Sequence, residues 1–247
     1  NRREKLVRIV ETYGAMKGSV ARNAAGAFNV AIAELAGALK SLNVKEYPPD
    51  EDVEREIWYH AFRPFSWSAG LFGLAALLFL MGYVYGSKAV WGVSMAVHVT
   101  AIGMTAYGYG LRWMISDRYP LSNHYESMIA VALFGAVISF IAELVMKKRI
   151  FGFAGATAGV VMVLLANTVP AFADQSAFST IMPALQTFWM TVHVPVIMAG
   201  YAGGLMICIL GHVYIFTFLL RRGSPEKEAQ LAELDGVLYR ALQVTVL

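Results

Sequence analysis

The chain has 247 residues, of which 57% are hydrophobic and only 15% charged, with a formal net charge of +3. A mean hydropathy of +0.54 excludes an ordinary soluble domain and reads as a polytopic membrane protein. The charge is small and the basic residues sit mostly at segment ends, so nucleic-acid binding has no support.

Residues 1–62 differ from the rest. They hold about half of the charges, nearly balanced in sign. Ala24 to Leu42 reads as a helix with Ala, Val, Ile and Leu on one face. Glu46-Tyr47-Pro48-Pro49-Asp50 breaks it, and an acidic run leads to Ile57-Trp58-Tyr59. The segment is not strongly basic, so a water-facing helical extension is favoured over an interfacial helix. No signal peptide is visible, and the chain runs from Asn1 to Leu247 with no cap at its end. Both ends are expected to continue in a longer protein.

The membrane part begins at Pro64. The expected spans are Ser66–Ser87, Ala89–Leu111, Ser127–Met146, Ile150–Ala173 and Phe188–Leu220. Each meets the requirement of roughly 20 apolar residues for a spanning helix. The runs are continuous rather than alternating, which excludes a closed barrel. Leu231 to Leu247 reads as an amphipathic lead-in to a further span. The expected architecture is all-α: a polytopic transmembrane helical bundle, residues 63–247, with a helical extension, residues 1–62. Lys147-Lys148-Arg149 and Arg221-Arg222 lie two spans apart and share a side with Lys88. The positive-inside rule makes that side cytoplasmic. The loops 112–126 and 174–187, His193 and residues 1–62 are then outside.

Several positions inside the spans stand out. Glu143 stands four residues before Lys147 and reads as a snorkelling pair. Gly200, Gly203 and Gly204 read as close helix packing. Cys208, the single cysteine, reads as a small packing residue and permits no disulfide or thiolate metal site within one chain. His98 and His212 fall at similar depth inside spans two and five. Intramembrane ionisable residues are functional hypotheses by default, so the two could hold one ligand; hydrogen-bonded packing is the alternative. His60 and His124 carry less weight.

The outer loop 112–127 reads RWMISDRYPLSNHYES. Pro120 sets a turn, and Ser122 or Asn123 can cap the following helix. Arg112 and Arg118 could hold an anionic group through paired guanidinium bonds. The long fifth span opens with FWMTVHV, placing Phe188, Trp189 and His193 at a membrane surface. His193 is a ligand, a proton handler or a satisfied polar residue; Phe188 and Trp189 are interface anchors or ligand contacts. No P-loop, metal-ligand cluster or nucleophile triad is present, so no catalytic residue is named.

RYPLSNHYES resembles the Arg-x-Pro-Leu-Ser-Asn-x-Tyr-Glu-Ser stretch of the CcsA/ResC family of cytochrome c biogenesis proteins. FWMTVHV is similar to that family's external histidine segment, and LAELDGVLYRAL resembles the segment leading to its tryptophan-rich WWD motif. The similarity covers residues 57–247 in order. It implies a protein that receives heme b in the membrane, presents it on the outer face and promotes its attachment to apocytochrome c. That would make it part of a cytochrome c synthase, or heme lyase. By position, His193 would be an axial ligand, with Trp189 over the macrocycle and Arg112 and Arg118 on the propionates. The family's WWD segment and second external histidine are absent from this sequence, and truncation is expected rather than loss because Leu231–Leu247 still leads toward a further span. The family also implies the inner, cytoplasmic membrane of a bacterial-type cell, surrounding lipid, and a second membrane subunit of the CcsB/ResB type. Competing readings are a membrane-anchored heme b electron-transfer subunit using His98 and His212, and a non-heme transporter.

Overall fold

The computed structural model describes residues 2–42, 49–148, 150–178, 188–220 and 225–246. Among them there are helices and no strand, so the fold is all-α. Five helices are long and apolar enough to cross a membrane, which makes this a multi-pass membrane protein. The expected breaker at Glu46-Tyr47-Pro48, residues 179–187 of the outer loop, and the orienting Arg149, Arg221 and Arg222 lie outside the described residues.

The chain divides into two compact units, Asn1–Glu56 and Ile57–Leu247. The first contains α1 (Arg2–Ala21) and α2 (Ala25–Leu42), the latter matching the helix expected from the apolar pattern. Asn23 makes the reversal with a left-handed φ of 53°, a conformation its short polar side chain tolerates. Lys5, near the start of α1, donates to the Ser41 carbonyl near the end of α2. Ala31 and Ala38 are buried, as are Thr12 and Ser19, so the seam is built from small residues.

The larger unit starts earlier than the expected boundary at residue 62. The last turns of α3 (Asp50–Phe62) pack within it. Trp58 donates through Nε1 to the Tyr107 hydroxyl at 2.9 Å, and Tyr59 meets Phe65 and Phe178 edge to face. The spans are α4 (Pro64–Tyr85), α5 (Lys88–Ser116), α6 (His124–Met146), α7 (Phe151–Thr168) and α9 (Phe188–Leu220). Their ends follow local chemistry. Pro64 opens α4, where its missing N–H costs nothing, and Gly86 closes it with φ 64°. Ser87 caps α5 by accepting from the Val90 amide. The fourth span is shorter than expected. Val169 is extended at φ −80°, ψ 117° ahead of Pro170, whose ring disfavours helix in the preceding residue. The chain resumes as the short α8 (Pro170–Ala173).

Helix α7 is the seam of the bundle. A Cβ on Gly155 would lie 1.8 Å from Ser139 Oγ, one on Gly152 2.3 Å from Phe79, and one on Gly159 2.9 Å from Phe72. These glycines let α6 and α4 approach α7 closely, as small residues do in membrane helix packing. Of the glycines expected to do this, Gly203 does so, a Cβ there lying 2.8 Å from Thr245 Oγ1 of α10 (Pro225–Val246), while Gly200 and Gly204 have nothing within 4 Å. Leu234 and Val237 of α10 join a cluster with Ile150, Phe151, Met206 and Leu210. The main core gathers Tyr59, Phe65, Tyr125 and Ile129 at and below one end of the bundle, with Val194 and Met198 of α9 packed on it.

Candidate functional site

The turn between α5 and α6 is built around one carboxylate. Asp117 ends α5 in a left-handed conformation, φ 48°. Tyr109 donates its hydroxyl to the Pro120 carbonyl at 2.8 Å, pinning the proline turn. Burial raises the pKa of Tyr119 in that loop. Asn123, rather than Ser122, is the cap of α6: its Oδ1 accepts from the Glu126 amide at 2.8 Å. Glu126, at the third helical position, reaches back to the Ser122 amide at 2.9 Å, one residue further than in a capping box.

That leaves Glu126 buried, and the turn compensates its charge. Arg112 donates through Nε to Oε1 at 2.9 Å. Arg118 donates to both oxygens, at 3.0 and 3.1 Å, and the Ser122 hydroxyl adds a bond at 2.9 Å. Arg112 is only 1% exposed. Its other nitrogens donate to the Ser176 and Ala177 carbonyls at 2.6 and 3.4 Å, and its guanidinium lies over the rings of Tyr125 and Phe178 at 5.1 and 4.7 Å. Gln175 is tied to the same turn, accepting at its carbonyl from Asn123 Nδ2 and at Oε1 from the His124 amide. The two arginines expected to meet an external anion are therefore directed at Glu126. The buried Arg112 also fastens residues 176–178.

His193 lies on the second turn of α9 and is exposed. Trp189, one turn earlier and 68% exposed, stacks on it with centroids 6.1 Å apart and planes 16° from parallel. The next residue, Val194, packs on the cluster that contains Tyr125 and Tyr59. An accessible imidazole with an indole parallel to it thus stands at the same end of the bundle as the braced turn. Pro195, two residues further along, lies inside the helix.

Comparison with known proteins identifies this end of the molecule. The family model described as "Cytochrome C assembly protein" matches residues 121–246, from the capping turn to the end of α10. The chain belongs to the cytochrome C assembly protein family. It is 32% identical to the cytochrome c biogenesis protein CcsA of Chlorella vulgaris over 151 residues, 56% of this chain and 46% of the relative. Identity to CcsA of Synechocystis sp. is 31% over 128 residues, 51% of this chain and 37% of the relative. Identity to CcsA of Chlamydomonas reinhardtii is 26% over 178 residues, 70% of this chain and 48% of the relative. The chain spans less than half the length of these curated relatives.

Within this cytochrome C assembly chain, the two intramembrane histidines, His98 and His212, have different surroundings. His98 is fully buried. Its Nε2 faces the Ala136 carbonyl and Ser139 Oγ, both at 3.1 Å. A carbonyl can only accept, so Nε2 carries the proton and Nδ1 is left as a bare acceptor, without a partner among the described residues. Phe72 and Phe79 flank the ring at 5.8 and 5.7 Å, and a porphyrin plane would have to displace both. His212 is exposed on α9, with Nδ1 at 2.8 Å from the Cys208 carbonyl on its own helix. The two histidines share no hydrogen bond or ring contact. Cys208 is exposed as well, rather than packed.

Glu143 also differs from expectation. It does not snorkel to the surface but is buried. It accepts from Trp91 Nε1 at 3.0 Å and from the Phe151 and Gly152 amides at 3.0 and 3.2 Å. The carboxylate satisfies the free donors at the start of α7, where the helix dipole also favours negative charge. Sequence spacing to Lys147 carried no hint of this, because the partners belong to other helices.

Proposed function

We propose that the protein works in cytochrome c biogenesis by holding heme at the braced end of the bundle and presenting it to apocytochrome c. The observation that carries this reading is the exposed His193 imidazole stacked on Trp189. Neutral imidazole is a good axial ligand for heme iron, and the indole stacked on it helps to fix the orientation of the imidazole ring. Heme is the cargo, and the chain's own residues position it. His193 would hold the iron, and Trp189 would steady the His193 ring. The Arg112–Glu126–Arg118 assembly secures residues 175–178, the described segment nearest in sequence ahead of α9. In this proposal the two arginines act as positioning residues.

The relatives' printed name, cytochrome c biogenesis protein, supports the same reading. The protein would sit in the cytoplasmic membrane with His193 on the outer face, beside a second membrane subunit of the CcsB/ResB type, and contribute to covalent heme attachment. The sealed His98 ring and the separate His212 lend no support to an intramembrane heme b shared between them.

The test is a visible absorption spectrum of the natural full-length protein in detergent, beside His193→Ala. The expected result is a reducible heme band that is lost or shifted to a weaker ligand state in the variant, and restored in part by added imidazole. An unchanged heme spectrum would overturn His193 as ligand. A protein that never takes up heme would overturn the function.

A further inference from the structure

Close to the braced turn lies a cavity of about 200 Å³, whose lining includes Tyr59, His60, Arg63, Tyr125, Asn167 and Ser176. Its described lining belongs wholly to the larger unit, and no Asp or Glu is among those described residues. Its floor and mouth differ in character. Tyr125 is buried and its hydroxyl lies 3.4 Å from Asn167 Oδ1, so the floor offers phenolic and amide groups already oriented by neighbours. At the mouth, His60 and Arg63 are exposed. The His60 ring is steadied by edge contacts to Tyr59 and Phe178 at 5.3 and 6.0 Å.

Arg63 is unlike the other two arginines at this end of the bundle. Arg112 and Arg118 are both bonded to Glu126. Arg63 makes no ion pair among the described residues, although it lines a polar cavity. Its backbone is held at φ 51°, ψ 60°, a left-handed conformation that costs a branched or long side chain energy and is kept only where the surroundings dictate it. A guanidinium that lines a small polar cavity and makes no ion pair among the described residues is suited to a planar carboxylate, which it can meet with two parallel bonds.

We propose that Arg63, assisted by His60, binds a carboxylate in this cavity, and that the carboxylate is a propionate of the heme. The inference rests on the heme reading above and deepens it. Three observations favour a propionate over a lipid phosphate. Val194, next to His193, packs on the same cluster as Tyr59, Phe65 and Tyr125, three residues of the cavity lining. Ser176, another lining residue, is held by Arg112, which is itself paired with Glu126, so the cavity adjoins the braced turn. The cavity is small and partly aromatic, which suits a short flat arm better than a tetrahedral headgroup. Arg63 thus takes the role that the sequence suggested for Arg112 and Arg118.

The experiment compares metal-free protoporphyrin IX with its dimethyl ester, binding to the full-length protein followed by porphyrin fluorescence. The metal-free ring removes the iron–histidine bond, so His193 and Arg63 are read separately. The native protein should prefer the free acid by roughly ten- to a hundredfold, the usual worth of a charge-assisted bond. Arg63→Gln, which keeps the same backbone demand, should lose most of that preference, and Arg63→Lys should recover part of it. His193→Ala should keep the preference while changing the spectrum of the iron complex. Porphyrin binding with no preference for the acid, or a preference untouched by Arg63→Gln, overturns the carboxylate site and leaves the heme reading standing. If neither porphyrin binds, with or without iron, both fall. If Arg63→Gln alters only retention in nanodiscs of anionic as against zwitterionic phospholipid, the cavity serves a lipid phosphate and the propionate assignment is overturned.

Discussion

Glu126 shows how a residue can be read correctly in place and incompletely in role. Its position after Ser122-Asn123 identifies a helix start, because capping is a local matter of three or four residues. One of its two charge partners, Arg112, is separated from it by 14 positions, and only the turn between α5 and α6 brings them together. A buried carboxylate deprived of a cation is expensive, and Arg112 also serves two backbone carbonyls. Arg112→Met should therefore lower the unfolding free energy in detergent by about 1.5–3 kcal/mol, Arg118 still being present. The double variant Arg112→Met with Glu126→Gln should cost less than the sum of the two, with a coupling of about 0.5–3 kcal/mol. Additive costs in that cycle would mean the pair does not interact. Glu143 makes the same point more strongly. A glutamate four residues before a lysine suggests a surface pair, yet its oxygens meet Trp91, Phe151 and Gly152.

At the level of elements, helix α7 decides how closely the bundle closes. Its glycines Gly152, Gly155 and Gly159 receive Phe79, Ser139 and Phe72, and those three side chains surround or contact His98. Gly155→Val should separate α6 from α7 and cost about 1–3 kcal/mol, because both Ser139 Cβ and the Gly135 carbonyl stand in the way. Gly200→Ala should be neutral or slightly stabilising, since nothing lies within 4 Å and alanine favours helix by about 1 kcal/mol. Unfolding of both variants by SDS titration would check the contrast, and equal effects would refute the packing argument. Helical glycines are visible in a sequence, but whether a glycine faces a neighbour or open lipid depends on helix rotation. Composition and length leave that rotation free. The break at Pro170 is different: it follows from sterics within two residues, and the fourth span ends where that clash places it.

For the whole molecule, the topology predicts which ends share a side. Asp174 lies by the braced end, while Lys148 lies at the other end of α6. In a Cys208→Ser background, Asp174→Cys should react with an impermeant maleimide added outside intact cells, and Lys148→Cys only after the membrane is opened. The reverse pattern would invert the proposed orientation and place His193 on the cytoplasmic side. The sequence by itself determined that this is an all-α membrane protein with five spans, where most of those spans end, and which family its motifs resemble. These properties rest on local hydropathy, capping and short-range sterics, all of which are written along the chain. Only the tertiary structure decided that Arg112 and Arg118 are bound to Glu126, that His98 is enclosed while His193 is open, and that Arg63 stands over a polar cavity. Each of these depends on side chains from helices far apart in sequence meeting in three dimensions. The long-range packing that sets those meetings leaves no periodic trace in any one segment.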